Sequence, residues 1–310
     1  MKRLVLASIV LLLVSSVAVA APLATAARSV IPKDVQQIIC VDYRSLKSSP
    51  TALALKKRVL PPDMRDFETA LRGLGIDPDK EVESLVFVSF RVPKQGLQII
   101  GIAQGDFPTK AVLKRMRLRK VKATKHGDAL VYPVSTMQMS FLDDFTMLFG
   151  ISSAIRSALD VQNGMAESVN SNSQVSELIT DADGGPIWSV LDASGTQNLV
   201  RSALGDAAGL ADYETIKKRL LGARYIMDFT NGVKFDLNVV TSDSWTASAL
   251  SSLLKAGMMY RRMNSAGSEK AVLENVTVDS DNDKLQLHFR SDDAKFQALL
   301  QSNLFAAISR

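Results

Sequence analysis

The sequence predicts an α+β protein built from two similar β-α-α-β-β-α-β-β-α halves, its antiparallel sheets covered by helices on one face. Three observations predict it. Short apolar runs alternate with a period of two. Gly, Pro and Asn punctuate them at hairpin spacing. The same order of elements then recurs after the polar stretch Glu167-Ser168-Val169-Asn170-Ser171-Asn172-Ser173.

In the first half, a strand is expected over Gln36 to Tyr43, then a helix starting at Ser49-Pro50, with proline in its first turn. Pro61-Pro62 breaks that helix, and a second runs from Asp63 to Leu71, ended by Gly73 and Gly75. A strand pair follows at Leu85–Phe90 and Leu97–Ala103, then a helix from Pro108 to Met116. The turn His126-Gly127-Asp128 joins strands at Arg119–Lys125 and Ala129–Val134. Met137–Phe149 forms another hairpin, and a helix over Ile151–Val161 closes the half.

The second half opens with a strand, Ile187–Leu191, and helices follow from Gly195-Thr196 to Leu204 and from Asp212 to Leu221. Asn231-Gly232 joins the strands Tyr225–Phe229 and Val233–Val240, the strongest short hairpin signal in the chain. Ser244 is expected to cap a helix to Met263. A hairpin then links Leu273–Val278 to Leu285–Arg290, and Ser291-Asp292-Asp293 caps a last helix. The halves are placed at 31–165 and 166–310, although the polar stretch equally suits a helix start within one domain.

The first 20 residues have the pattern of a secretory signal peptide. Lys2 and Arg3 precede an apolar run from Leu4 to Val14, and Ala18-Val19-Ala20 supplies small residues at −3 and −1. Cleavage near Ala20 leaves residues 21–30 as a flexible mature N-terminus, and places the protein in the periplasm or outside the cell. At 46% hydrophobic and 22% charged, the 310 residues belong to a globular chain rather than a disordered or multi-span one. A single cysteine, Cys40, cannot staple the chain, so its stability must come from packing.

The opener Ile31-Pro32-Lys33-Asp34, with Val41-Asp42, Leu46 and Ser49-Pro50, is similar to a loose group of uncharacterised exported bacterial α+β repeat proteins. So are Leu74-Gly75-Ile76-Asp77-Pro78, Phe149-Gly150 ahead of Ala154–Asp160, and Pro186-Ile187-Trp188. The resemblance implies an extracytoplasmic repeat protein and transfers no active-site residue.

Several motifs invite a catalytic or metal reading and fail on their own terms. Ser252-Leu253-Leu254-Lys255 matches S-x-x-K, and Ser280-Asp281-Asn282 lies downstream, but no K-T-G follows and the latter suits a turn. Asp279-Ser280-Asp281-Asn282-Asp283 starts like a calcium loop, yet Lys284 replaces the glycine and Arg290 the closing glutamate. Asp181-Ala182-Asp183-Gly184-Gly185 likewise fails as such a loop and suits a polar turn. Two histidines, His126 and His288, cannot assemble a zinc site with one cysteine, and no phosphate-cradling glycine loop occurs. No catalytic residue, metal or cofactor is expected.

One charge feature stands out. Lys110, Lys114, Arg115, Arg117, Arg119, Lys120, Lys122 and Lys125 fall within 16 residues that contain no acid. Loss of the leader takes the net charge from +5 to +3, and without these eight cations the rest of the chain stands near −5. The expected function is therefore non-catalytic binding or scaffolding through this patch, with an anionic membrane surface, an envelope glycan or an acidic protein as partner. Nucleic acid fits poorly, because the stretch lacks aromatics for stacking. The alternative is a carrier of an apolar ligand such as lipid, for which a cavity lined by Met137, Met139, Met147, Met258, Met259 or Met263 would speak. A hydrolase of unrecognised type is a third reading, and a cleft of convergent titratable groups would favour it.

Overall fold

The computed structural model describes residues 23–182, 184–204, 213–264, 270 and 273–300, so the expected leader lies outside the described residues. The first seven strands are β1 (Val35–Asp42), β2 (Val82–Val92), β3 (Gly96–Gly105), β4 (Thr124–His126), β5 (Ala129–Val134), β6 (Met137–Phe141) and β7 (Thr146–Gly150). Five follow: β8 (Ile187–Leu191), β9 (Leu220–Asp228), β10 (Val233–Thr241), β11 (Val276–Asp281) and β12 (Lys284–Ser291). They form one 12-stranded antiparallel sheet, ordered β11-β12-β10-β9-β8-β1-β2-β3-β7-β6-β5-β4.

That order contains the predicted repetition. Outward from the middle, β8-β9-β10-β12-β11 retraces β1-β2-β3-β7-β6, and the hairpin β4-β5 is an addition to the first half. The equivalent strands β1 and β8 pair antiparallel, with Ile39 opposite Ser189, so the halves meet edge to edge in a continuous sheet.

The helices in the first half are α1 (Thr25–Arg28), α2 (Tyr43–Leu46), α3 (Pro50–Val59), α4 (Pro62–Leu74), α5 (Pro78–Glu81), α6 (Thr109–Leu118) and α7 (Ser152–Gln162). Those in the second are α8 (Ser173–Ala182), α9 (Ala193–Leu204), α10 (Tyr213–Lys217), α11 (Ser244–Asn264) and α12 (Asp293–Leu300). Strand alternation sorts them by face. On the front face, α4 and α6 press Phe67, Leu71, Val112 and Met116 onto Met139, Met147 and Phe149. Further along it, α9 and α11 press Val200, Leu250 and Leu254 onto Leu237, Val239 and Leu285. Phe296 of α12 and Ala52 of α3 close the near end over Phe229 and Phe289.

The front face thus carries helices along its length, as the alternation predicts, apart from an opening over β1–β3 and β7. The middle of the back face gains a second layer, where α7 and α8 bury Ile38, Val88, Ile100 and Trp188 under Ile155, Leu159, Leu178 and Ile179. Beyond it, the back of β10 and β12 carries Lys234, Asp236, Asn238, Gln286, His288 and Arg290, a polar set that requires no cover.

Three expectations change. Residues 21–30 are not a flexible lead-in from Leu23 onward: Leu23, Ala27 and Val30 are buried in the back core, because an apolar residue at this spacing finds sheet to cover. The strand expected over Arg119–Lys125 shrinks to β4, since α6 ends in a tight C-cap. Lys120 adopts φ 58°, and Val121 N–H donates to Met116 O at 3.0 Å. The helix expected from Asp212 to Leu221 stops at Lys217, and β9 begins at Leu220. Of the two readings of the polar stretch at 167–173, the helix start is the one realised: it leads into α8, whose Val175, Leu178, Ile179 and Ala182 are buried.

The cap of α11 is Asp243, one residue before the expected Ser244. Its Oδ1 accepts from Thr246 N–H at 2.8 Å. Hydrogen bonds from Ser242 and Thr246, with Arg219 nearby, hold this carboxyl at about 2, below its ordinary 3.8. A depressed carboxylate stabilises the fold fully above its unfolded value and loses that contribution as pH falls through the folded one. Asp243→Asn is therefore expected to flatten acid unfolding between pH 3.8 and about 2, as followed by helical circular dichroism; an unchanged acid limb would refute the cap's role.

Candidate functional site

A groove of about 560 Å³ opens on the front face, across the strands from β1 to β6. Its floor follows from register. Ile39, Phe87, Gly101 and Phe149 sit side by side on successive strands, and so do Gln37, Ser89 and Ile99 in the next row. Met137 and Ile151 extend the floor outward.

The Phe149 ring lies flat because position 101 has no side chain. A Cβ there would lie 2.1 Å from Phe149 Cζ. Phe149 stacks on Phe67 of α4 at 5.1 Å between centroids and meets Phe87 edge-on at 6.0 Å. Aromatic packing thus fixes the floor to the helix above it.

One wall is the corner between α3 and α4, formed by Val59, Leu60, Pro61, Asp63 and Met64. Local chemistry creates the corner. Leu60 precedes a proline and is pushed into extended geometry (ψ 118°), and Pro62 then starts α4 without forfeiting a hydrogen bond. Lys56 of α3 locks the corner by donating to Glu68 of α4 and to Tyr43 Oη, each at 2.8 Å. Tyr43 in turn donates to Asp79 at 2.6 Å. Burial alone would lower the Lys56 ammonium, but Glu68 and Tyr43 outweigh it and its pKa sits above the ordinary value. The lock stays charged at neutral pH.

Met137 and Met64 line the groove, whereas Met139 and Met147 are buried core residues. Met258 and Met259 border a separate hollow beside β11. Of the groove's lining, only Met137 was singled out from the sequence. The lining residues span positions 37 to 151, and only strand register brings them together.

The basic patch is where the charge run placed it. All eight cations are exposed: Lys110, Lys114, Arg115 and Arg117 along α6, Arg119, Lys120 and Lys122 in the segment leading to β4, and Lys125 in β4 itself. Two have structural work: Arg115 donates to Leu74 O and Arg119 to Gly73 O, each at 2.8 Å, neutralising the carbonyl end of α4. Lys125 lies 3.9 Å from Asp128. Lys110, Lys114, Arg117, Lys120 and Lys122 form no ion pair with a described residue.

Gly75 illustrates the coupling. It caps α4 with φ 81°, and the Arg115 guanidinium occupies the space where its Cβ would go. Gly75→Ala is expected to cost about 1–3 kcal/mol by urea denaturation, from left-handed strain and loss of the arginine contact. An unchanged midpoint would show that Arg115 is free to move.

The tempting motifs come apart in three dimensions. Ser252 and Lys255 are both exposed, and Lys255 pairs with Asp279 at 3.5 Å. Ser280 and Asp281 end β11, and Asn282-Asp283 makes the turn to β12, with Asn282 at φ 51°. Among the described residues no group of three His, Cys, Asp or Glu side chains is placed to hold a metal. His126 faces Asp160 at 2.7 Å near one end of the sheet, and His288 bonds Asp236 near the other. Cys40 is buried on β1.

No protein-family model matches the chain, and no curated protein does. Solved structures do. The chain resembles crystal form I of TP0453 with a TM-score of 0.50 at 9% identity, covering 89% of this chain and 96% of that one. Crystal form III of the same protein gives a TM-score of 0.45 at 9% identity, over 89% of this chain and 98% of that one. At this identity the likeness establishes the α+β fold. Among the described residues no helix is long and apolar enough to cross a membrane.

Proposed function

We propose that the protein is an exported, non-catalytic carrier that holds an apolar chain in the front-face groove. The observation behind this reading is an open trough floored by Phe87, Phe149, Ile39 and Ile99 and walled by a locked proline corner. Ile99 and Ile151 are 57% and 51% exposed there, next to Val59 at 48%. A cluster of apolar side chains left wet costs free energy that a bound alkyl or aromatic group recovers. The volume falls within the roughly 300–1,000 Å³ of small-molecule sites. Titration of the mature protein with Nile red, a neutral apolar dye, tests the reading: saturable fluorescence gain is expected, and its absence ends the proposal.

The basic patch supports a second, separable role as a landing site for an anionic membrane surface. Five exposed cations without a paired acid favour it, each contributing on the order of 1 kcal/mol near such a surface. Lys114→Glu, Arg117→Glu and Lys122→Glu together spare the arginines that cap α4. Wild type is expected to sediment with anionic vesicles at low salt, and the triple variant to stay in solution. Wild type that never sediments would remove this role.

A further inference from the structure

We infer that the groove selects an uncharged amphiphile, an alkyl chain ending in a hydroxyl, amide or ester, and turns ionised carboxylates away. The inference rests on the carrier reading above and names its ligand class. It comes from the distribution of charge around the trough.

Three polar side chains line the groove: Gln37, Ser89 and Asp63. None is a cation. Gln37 and Ser89 face each other across the β1–β2 pairing, so the polar end of the floor is compact and neutral. Gln37 Nε2 donates to Ser189 Oγ at 3.1 Å, which leaves the amide oxygen to accept from a ligand's hydroxyl or N–H. Behind them stands Tyr225, opposite Ser189 in register and hydrogen-bonded to both. Desolvation raises its hydroxyl pKa, so this support is also neutral.

The single charge in the lining is Asp63, in the first turn of α4 at the rim. A carboxylate lowered into this trough would leave water without meeting a countercharge and would approach a like charge. Burying an unpaired anion is among the costliest transfers available to a protein site. The cations Lys57, Arg58 and Arg65 are exposed on the same two helices but do not line the groove. A hydroxyl or amide pays no such penalty and finds donors and acceptors at Gln37 and Ser89.

The experiment is competition for Nile red by dodecanol and by dodecanoate at neutral pH, both below their micellar concentrations, using the full mature chain. Dodecanol is expected to displace the dye at a concentration at least roughly tenfold lower, equivalent to about 1.4 kcal/mol. Asp63→Asn should narrow that gap by improving dodecanoate more than dodecanol, with a thermal melt checking that the fold is kept. Gln37→Leu should raise the dissociation constant of dodecanol relative to that of Nile red, each measured by its own titration. Equal competition by the two ligands, with the dye bound normally, overturns the selectivity while the carrier reading stands. Failure of Nile red itself to bind overturns both.

Discussion

Ile99→Glu is expected to abolish Nile red capture while leaving the protein folded. The position is more than half exposed, so a glutamate there reaches water in the empty protein and costs little stability. Once a ligand covers the trough, the same carboxylate must either desolvate or hold the ligand off Phe87 and Phe149. A loss of at least roughly tenfold in affinity, about 1.4 kcal/mol, is the minimum expected. Ile151→Glu, at the outer end of the floor, should reproduce it. Thermal melts matching wild type separate lost binding from lost fold. If both variants bind the dye as wild type does, the groove is not the site.

The largest stability effect is expected at Trp188. The ring is fully buried on the back of β8, with Cys40 and Ile226 opposite it on the two flanking strands. Trp188→Ala should cost about 3–5 kcal/mol in urea unfolding, since a central strand collapses poorly around so large a void. Trp188→Phe should behave differently. The indole Nε1 is buried without a hydrogen-bond partner among the described residues, so removing that N–H recovers about 1–3 kcal/mol of desolvation against the smaller lost volume. The net change should stay below about 1.5 kcal/mol. A cost for phenylalanine equal to that for alanine would mean the N–H is satisfied in solution.

The fold was legible wherever local chemistry acts alone. Proline corners, Asn231-Gly232 and the acidic cap at Asp292 sit where residue type predicts, because each needs only its near neighbours. The α8 helix was only one of two readings, although Val175, Leu178, Ile179 and Ala182 carry helical spacing, because the polar run before it also suits a linker. Charge clustering located the basic patch, yet nothing in sequence ties Arg115 to Leu74 O, 41 residues away. The groove is the extreme case. Leu97 and Ile99 on one strand face and Ile100 and Ile102 on the other already indicate cover on both sides of β3. That the front cover is incomplete there depends on where a corner between two helices lands.

The β1–β8 pairing carries a kinetic consequence. Gln37 and Leu191 are paired at this central join although more than 150 residues separate them along the chain, so the two lobes have no short-range reason to find each other. Loop-closure entropy opposes such a contact until each lobe has organised itself. Refolding should accordingly show early protection of amides in β2–β3 and β9–β10, and late protection at Ile39 and Ser189. During that interval β1 and β8 are bare edges able to zip onto a second molecule, which makes refolding yield fall with protein concentration.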